Sequence, residues 1–332
     1  EENNFDESVY AKKVAKHLGT DHHDLIVTSN EARDVIPKLP YLYDEPFADS
    51  SQIPTYLVSK LAKNNVKVAL SGDAGDELFG GYNRYIWGPK VWNKFINSPR
   101  LLRFTISYLL TSISSDNWDY LNNFLKSFKL TKSQINNLGE KVHKVARRIK
   151  YTNNLDEIIA KPVSEWPEET KLVITNFIDD VYKEEFEIGN IPGSANKMMF
   201  CDSQHYLPDD ILCKVDRAAM SVSLETRIPF LDHKVAELAW QIPINMKINK
   251  GIGKLVLRKL LYKHVPQKLI DRPKMGFAIP VGEWIRGPLR DWAEDLLDNK
   301  KLTDQGYINT NLIRKVWHDH KNGKNDWTGR LW

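Results

Sequence analysis

A glycine-rich acidic turn directly follows an apolar segment, and it is the first candidate for chemistry. Val66–Leu70 has the composition of a buried strand, and the twelve residues Ser71–Tyr82 come next. In open α/β sheets, ligands bind outside the carboxyl ends of the strands, where such a turn would lie. Ser71 and Gly72 could present backbone groups to a nucleotide, because glycine has no side chain to block the approach. The turn therefore predicts a nucleotide site.

Two acids of this turn, Asp73 and Asp76, predict a metal. They lie three residues apart at a predicted helix start, where the helix dipole favours negative charge. Carboxylates would repel the phosphates of a nucleotide, and Mg²⁺ between the two groups would remove that repulsion. The alternative is a helix-capping turn with solvated acids, which is less typical of so dense a run of acids and glycines. We therefore expect Mg²⁺ beside these acids.

A second charged segment, Tyr206–Asp232, interleaves five acids and three bases with apolar residues. Buried charges need partners, so we expect a fixed network of ion pairs. Asp210 is the acid of this segment that we expect to face a substrate. Four other charges could be functional or could belong to a structural network that holds helices together: Asp216, Arg217, Glu225 and Arg227.

A third segment with potential chemistry combines Lys254–Arg258 with the loop Arg272–Pro280. Lys274 lies between a proline and a Met-Gly-Phe turn, which constrains the loop. A lysine can neutralise phosphate oxygens as charge develops in a transition state. A single lysine is usually a surface residue, but beside the other two segments we expect Lys274 to be functional.

The elements that must position these residues change in type along the chain. Strand patterns at His23–Val27 and Val66–Leu70 alternate with helical patterns, which predicts a parallel sheet flanked by helices. After about residue 87 the periodicity is helical. Two strands are too few for a stable sheet of this kind, so we expect further strands before Glu1. The predicted organisation is a nucleotide-binding part at 1–86 and a mainly helical part at 87–332.

Composition argues against several classes of protein. The chain of 332 residues has 47 basic and 43 acidic residues, and this small excess does not favour nucleic-acid binding. The two cysteines form no Cys-x-x-Cys pair, which disfavours zinc and fits a reducing compartment. We find no signal peptide and no apolar run long enough to cross a bilayer. We therefore expect a cytoplasmic protein without a membrane partner.

Four segments, in one order along the chain, carry a resemblance to a known family. They are Asp44–Pro46 continuing to Ser50–Ser51 and Pro54, then Ser71–Tyr82, Lys214–Asp232 and Arg272–Pro280. In these segments the chain resembles the synthetase domain of glutamine-hydrolysing asparagine synthetases, and the resemblance extends over most of 1–332. It implies an α/β fold with an adenine-nucleotide α-hydrolase-like parallel sheet, incomplete at the N-terminus here, and a large helical region.

The resemblance also implies a reaction in two steps. ATP adenylates the side-chain carboxylate of aspartate and releases pyrophosphate. Ammonia then attacks the acyl-adenylate and gives asparagine and AMP. In the family, a separate N-terminal glutaminase domain with a cysteine nucleophile supplies the ammonia from glutamine. The implied partners are therefore aspartate, ammonia or glutamine, and that domain; a homodimer is a further expectation.

Individual roles follow from the same resemblance. Ser71 and Gly72 match positions that contact ATP, and Asp76 matches an acid that helps to hold Mg²⁺ and pyrophosphate. Asp73 stands where many members have Glu, at a position implicated in forming or consuming the adenylate. Lys274 matches a lysine that stabilises charge during adenylation. Three further residues are candidates for substrate contacts: Asp210, Ser50 and Ser51.

The chain also departs from the family pattern. The pyrophosphate loop Ser-Gly-Gly-x-Asp-Ser and the glutaminase domain, which lie upstream in the family, are not in these 332 residues. We therefore expect little synthetase activity from this chain alone. Two alternatives stay open. The chemistry could act on another carboxylate, as in relatives that amidate sugar acids for surface polysaccharides or close a β-lactam ring. The fold could also serve as a non-catalytic scaffold.

Overall fold

The computed structural model describes residues 8–96, 98–127, 138–151, 166, 172–174, 191–271 and 279–332. Up to residue 96 the elements are α1 (Ser8–Leu18), α2 (Ser29–Arg33), α3 (Leu39–Tyr43), α4 (Gln52–Lys63), β1 (Val68–Leu70), α5 (Gly75–Phe79) and α6 (Asn83–Ile96). Three helices follow: α7 (Arg100–Ser112), α8 (Ser115–Ser127) and α9 (Leu138–Tyr151).

The remaining elements run from residue 194 to the end of the chain. They begin with α10 (Ser194–Cys201), a π-helical segment (Asp202–Leu212), α11 (Cys213–Met220) and β2 (Glu225–Arg227). Then come α12 (His233–Gln241), α13 (Ile244–Lys247), α14 (Leu255–Leu261) and α15 (Gln267–Ile270). The last are α16 (Val281–Arg286), α17 (Arg290–Leu296), α18 (Asn299–Gln305), α19 (Thr310–Lys321) and α20 (Thr328–Leu331).

The chain divides into two compact units. The first contains Glu1–Pro89 and Ile191–Ile279, and the second contains Lys90–Asn190 and Pro280–Trp332. In the second unit, α8 and α7 both pack on α9, and α19, which carries the buried Trp317, contacts α18 and α20. No helix in the described part of the chain is both long and apolar enough to cross a membrane. The division into 1–86 and 87–332 stays a prediction.

The first unit contains a small parallel sheet. β1 pairs with β2 in parallel, with Ala69 opposite Thr226 at the centre of the ladder. Thus the prediction of an α/β chain with a parallel sheet and a large helical part is confirmed at this level. β2 comes from the Tyr206–Asp232 segment, where the sequence predicted only helices and charged contacts.

The predicted strand at His23–Val27 is wrong. The structure assigns no strand there, and Leu25 and Ile26 are 46% and 62% exposed. A strand is held by hydrogen bonds to a neighbouring strand. Among the described residues only β1 and β2 form such a ladder. A short apolar run cannot reveal whether a partner strand is present, so the pattern misled.

Residues 194–220 form one continuous helix that contains Pro208. A proline inside a helix usually kinks or ends it. Instead, the helix widens to π geometry over Asp202–Leu212, and returns to α geometry at Cys213. A π segment shifts each hydrogen bond by one residue, which lets a chain accommodate a proline without ending the helix.

α5 is short, and packing rather than helix propensity holds it. Its Leu78 and Phe79 are buried in a cluster with Leu207 of the π segment and Ala239 of α12. Five residues form too short a helix to be stable alone in water. The buried apolar face therefore holds α5, and with it the acidic turn that leads into this helix, in position.

A buried ion pair ties the residues after α5 to the π segment. Asp202 is fully buried, and its Oδ2 accepts hydrogen bonds from the Arg84 guanidinium at 2.6 Å and from the Tyr85 hydroxyl. Breaking a buried pair leaves an uncompensated charge behind, which is strongly destabilising.

We expect Asp202→Ala to lower the free energy of unfolding by about 3–5 kcal/mol, because Arg84 would keep its burial and lose its partner. Urea denaturation followed by circular dichroism measures this. The matched control is Asp209→Ala in the same helix, where the side chain is 74% exposed. We expect the control to change stability by less than about 0.5 kcal/mol. Equal effects of the two substitutions would contradict the assigned role of Asp202.

Candidate functional site

One cavity of about 610 Å³ in the first unit brings together most of the residues that the sequence singled out. Of the eight predicted site residues, six line it: Ser50, Ser51, Ser71, Gly72, Asp73 and Asp76. Asp210 lies beside the wall, 3.7 Å from the cavity-lining Lys214. Lys274 lies outside the described residues. The roles assigned to these residues stay predictions.

The acidic turn is anchored to the carboxyl end of the sheet. The Ser71 amide donates to the Arg227 carbonyl at 2.9 Å, which continues the ladder by one hydrogen bond. The Ser71 hydroxyl donates to Asp73 Oδ2 at 2.8 Å. Ala74 then takes the left-handed conformation with φ of 64° and turns the chain into α5. An alanine in this conformation is strained, and the buried surroundings of Ala74 hold it there.

Gly72 faces open space. A Cβ built on this residue would have no heavy atom of the described chain within 4 Å. The fold itself therefore does not require glycine here. The room beside its backbone belongs to the cavity, where a ligand could approach closely.

Asp76 forms an ion pair with Lys254, whose Nζ lies 3.1 Å from its Oδ1. Lys254 has φ of 54°, in the region that favours glycine, and its amide donates to the Phe79 carbonyl at 3.2 Å. A Cβ on Gly81 would overlap Asp76 Oδ1 and the end of Lys254, and one on Gly253 would overlap a backbone carbonyl. Glycines and a strained lysine thus let two loops meet at this carboxylate.

The residue after Asp76 is a buried acid. Glu77 is 1% exposed, and the Tyr82 hydroxyl donates to its Oε1 at 2.5 Å. Burial raises the pKa of Glu77, although the hydrogen bond from Tyr82 acts in the opposite direction. The Arg84 guanidinium stacks on the rings of Tyr82 and Tyr206, 4.4 and 5.1 Å from their centroids. Both tyrosines line the cavity, so this network forms one of its walls.

Another part of the wall is a charged cluster of two acids and one lysine, which we call the Asp49–Lys214–Asp210 cluster. Lys214 Nζ lies 2.5 Å from Asp49 Oδ2 and 3.7 Å from Asp210 Oδ1. The Ser51 hydroxyl and amide also donate to Asp49, at 2.8 and 2.9 Å. Lys214 is buried, whereas each acid keeps about a fifth to a quarter of its side chain exposed.

The pKa values of these two acids move in opposite directions. Burial raises the pKa of Asp210 to about 7, and the neighbouring charge of Asp49 acts in the same direction. Burial would also raise the pKa of Asp49, but Lys214 and the two donors of Ser51 outweigh it, and the pKa is lowered. Asp49 is therefore ionised near neutral pH, whereas Asp210 is divided between its charged and neutral forms there.

The donor set of the acidic turn fits Mg²⁺. This ion prefers carboxylate oxygens, needs only one or two of them, and takes its other ligands from water and substrate phosphates. Asp73 and Asp76 both present carboxylates to the cavity. Within the described residues no group of three or more His, Cys, Asp or Glu could hold a metal. The arrangement therefore suits an ion that arrives with a nucleotide.

Three of the four charges with two open interpretations form ion pairs within the chain. Arg217 of α11 pairs with Asp44 at 2.6 Å, so it links that helix to the residue after α3. Arg227 pairs with Glu225 at 2.6 Å within the exposed strand β2. These pairs fit the expected network of ion pairs, and both interpretations stay predictions. Asp216 is exposed on α11.

Sequence reasoning gave no specific role to three residues that the structure places at or beside the cavity: Lys254, Lys214 and Asp49. A usable signal for Lys254 was present in Gly251-Ile252-Gly253-Lys254, where glycines precede a cation at a helix start. Lys214 and Asp49 are 165 residues apart along the chain, and no local pattern joins them.

Comparison with known proteins identifies the family of this chain. The model of the family Asparagine synthase matches residues 1–332. The chain is 30% identical over 333 residues to "Asparagine synthetase [glutamine-hydrolyzing] 1" of Bacillus subtilis (strain 168), covering all of this chain and 49% of that protein. It is 29% identical to a "Putative asparagine synthetase [glutamine-hydrolyzing]" of Mycobacterium tuberculosis (strain ATCC 25618 / H37Rv), covering all of this chain and 48% of that protein.

The chain therefore belongs to the asparagine synthase family, as the resemblance predicted. It spans about half the length of the curated relatives that it matches.

The substitution Gly72→Ala tests whether the glycine at this position serves ligand binding or the packing of the chain. We expect an unchanged or slightly raised midpoint of unfolding, because the added methyl group meets no atom of the chain. We also expect Mg·ATP binding to weaken by about 1–3 kcal/mol, the usual penalty for overpacking, if a nucleotide contacts this backbone. Isothermal titration calorimetry with a non-hydrolysable ATP analogue measures the affinity.

The comparison variant is Gly81→Ala, whose methyl group overlaps Asp76 and Lys254. It should lower both the midpoint of unfolding and the affinity for the nucleotide. Wild-type affinity in Gly72→Ala would show that the nucleotide does not approach this residue.

Proposed function

We propose that this chain is the ATP-dependent synthetase part of a glutamine-hydrolysing asparagine synthetase. The observation that carries the proposal is the cavity at the carboxyl end of β1, where the strand runs directly into the Ser71–Asp76 turn. Membership of the asparagine synthase family supports it. We further propose that the parallel sheet is part of an adenine-nucleotide α-hydrolase-like fold, with further strands outside the described residues.

Nucleotide binding is assigned to the turn. The backbone of Ser71 and Gly72 would contact ATP, since Gly72 leaves room for it. Asp76 would hold Mg²⁺, with Asp73 close by in the same turn. When bound, Mg²⁺ neutralises charge on the phosphates. Lys254, 3.1 Å from Asp76, keeps this carboxylate in place and adds a cation beside the phosphates.

The first step joins aspartate to the nucleotide. A side-chain carboxylate oxygen of aspartate attacks the α-phosphorus of ATP, and the bond to pyrophosphate breaks. The hydroxyls of Ser50 and Ser51 lie in the wall of the same cavity and would orient the substrate. Lys274 would stabilise the developing charge on the phosphates. Asp73, held by the Ser71 hydroxyl, would face the reacting carboxylate.

The second step forms the amide. Ammonia attacks the acyl carbon, the carbon–oxygen bond to AMP breaks, and the nitrogen loses a proton. Asp73 is the acid that we assign to this step, with the proton passing to its carboxylate. We propose that glutamine, hydrolysed in an N-terminal glutaminase domain, is the source of ammonia. A cytoplasmic location and a homodimer complete the proposal.

The test measures asparagine, AMP and pyrophosphate from aspartate, Mg·ATP and either ammonium or glutamine, with the natural full-length protein that contains these residues. We expect all three products from both nitrogen sources. Asp76→Asn should reduce the rate about 10²–10³-fold, as loss of one preorganised charge does in other active sites. Asp21→Asn, at a side chain that is 92% exposed, is the control and should leave the rate unchanged.

Two results would contradict the proposal. Pyrophosphate released with a uronic acid but not with aspartate would assign the chemistry to another carboxylate. Absence of Mg·ATP binding, measured by calorimetry, would instead assign the fold to a non-catalytic scaffold.

A further inference from the structure

Lys254 reaches Asp76 from a strained backbone. Its φ of 54° and ψ of 32° lie in the left-handed region, which is unfavourable for lysine and persists only where the surroundings hold it. The side chain of lysine is a flexible chain of four carbons, so it does not place the ammonium by itself. The position of the ammonium beside Asp76 therefore depends on the contacts that hold the backbone of Lys254.

The peptide groups on both sides of Lys254 are held by hydrogen bonds. In the peptide before it, the Lys254 amide donates to the Phe79 carbonyl at 3.2 Å, and the Gly253 carbonyl accepts from Arg258 Nε at 3.1 Å. In the peptide after it, the Lys254 carbonyl accepts from the Arg258 amide at 2.8 Å. Because a peptide group is planar, fixing both planes fixes φ and ψ of the residue between them. Arg258 contributes to both of these contacts.

Arg258 is itself held by Asp271, the residue after α15. The Nη1 atom of Arg258 donates to Asp271 Oδ1 at 3.0 Å. The same carboxylate accepts hydrogen bonds from the Tyr262 hydroxyl at 2.5 Å and from the Gln267 side-chain amide at 2.6 Å. An isolated exposed ion pair contributes little to a structure, whereas a network of several contacts can hold a charged group in one geometry. Asp271 thus keeps the guanidinium beside the Gly253 carbonyl.

The two contacts of this side chain suit arginine and not lysine. The guanidinium is planar, and its nitrogens donate in fixed directions. In Arg258, Nε contacts a backbone carbonyl while Nη1 contacts a carboxylate. A lysine would keep the positive charge, but it has one ammonium on a flexible chain and no fork that joins two acceptors. The geometry of the guanidinium, rather than its charge, is therefore the property that matters here.

We propose that Arg258, supported by Asp271, is a positioning residue for the ATP-dependent step, and that it places the Lys254 ammonium at Asp76 by fixing the peptide between Gly253 and Lys254. This inference rests on the proposed function, in which Lys254 and Asp76 act beside the phosphates of Mg·ATP. Arg258 does not line the cavity, so it acts through Lys254.

Arg258→Met removes both side-chain donors and keeps most of the apolar length of the side chain. The assay measures pyrophosphate release by the natural full-length protein with L-aspartate, ammonium and Mg·ATP. We expect kcat/KM for Mg·ATP to fall about 10- to 100-fold, since a misplacement of about 1 Å can reduce a rate by this much. Arg258→Lys should lose nearly as much, because it lacks the fork. The KM for aspartate should change little.

A double-mutant cycle with Lys254→Met tests whether Arg258 acts through Lys254. If it does, the double variant should match Lys254→Met alone within about twofold, because the second substitution has nothing left to displace. Isothermal titration calorimetry with a non-hydrolysable ATP analogue and Mg²⁺ gives a readout that does not depend on turnover. We expect the same pattern there: weaker binding in each single variant and no further loss in the double variant.

Arg314 offers a matched control in the second unit. Its Nη1 donates to the Leu297 carbonyl at 2.9 Å and to Glu294 Oε2 at 3.0 Å, so it also joins a backbone carbonyl to a carboxylate. Its side chain is 35% exposed, close to the 31% of Arg258. Arg314→Met should lower the midpoint of thermal unfolding about as much as Arg258→Met, while kcat/KM stays at the wild-type value.

Asp271→Asn tests the support of Arg258 and serves in its place if Arg258→Met does not fold. The substitution keeps the shape of the side chain and removes its charge. We expect kcat/KM for Mg·ATP to fall about three- to tenfold, the usual difference between a charged and a neutral hydrogen bond. In a Lys254→Met background it should have no further effect.

Three results would overturn the inference and leave the proposed function in place. The first is wild-type kcat/KM in both Arg258→Met and Asp271→Asn. The second is a loss in the double variant equal to the product of the two single losses, which would show that Arg258 acts independently of Lys254. The third is an equal fall of kcat/KM in Arg314→Met, which would attribute the effect to stability.

Failure of the proposed function has a different signature. A wild-type protein that neither binds Mg·ATP nor releases pyrophosphate would contradict that function, and the inference would fail with it.

Discussion

The ion pair between Asp76 and Lys254 is the contact on which the geometry of the site depends. It forms where α5 and the glycines after it meet the loop before α14. The two backbones approach there more closely than a Cβ on Gly81 or Gly253 would allow. Gly81 and Gly253 leave that space, and Lys254 accepts a left-handed conformation to place its ammonium. The acidic turn is consequently held from both ends, by the sheet at Ser71 and by this pair at Asp76.

Burial of charge shapes the rest of the cavity. Glu77 and Asp202 are almost completely removed from water, and each is matched by a tyrosine hydroxyl or by Arg84. The contacts of Arg84 and Tyr85 with Asp202 join the residues after β1 to the π segment, although the two parts are more than a hundred residues apart in sequence. This wall of the cavity therefore depends on the long-range pair of Arg84 with Asp202, in which the guanidinium compensates the charge of the buried carboxylate.

The sequence predicted those parts of the site that are local in the chain. The turn Ser71–Asp76 combines glycines and acids in one short run, and its place after a strand follows from the apolar residues before it. The predicted strand at His23–Val27 failed because a strand depends on its neighbour. β2 was missed for the same reason, since its three residues become a strand only beside β1.

The charged cluster was beyond sequence reasoning for a different reason. Asp210 was expected to face a substrate, but its environment comes from Asp49, which lies on the segment before α4. Only the packing of α11 on α4 brings the two acids to one lysine. The opposite pKa directions of Asp49 and Asp210 arise from unequal numbers of hydrogen-bond donors, and a count of donors requires coordinates.

The π segment gives one wall of the cavity a way to change independently of the acidic turn. A π segment can be regarded as an α-helix that carries a surplus residue, and loss of one residue would return the wide turns to α geometry and change which side chains of the segment face the cavity. Tyr206 and Asp210 lie within the segment, and Lys214 lies just after it. A single deletion could thus re-aim the wall of the cavity while leaving the sheet and the acidic turn in place. In evolutionary terms, the wall of the cavity formed by the π segment can change separately from the acidic turn.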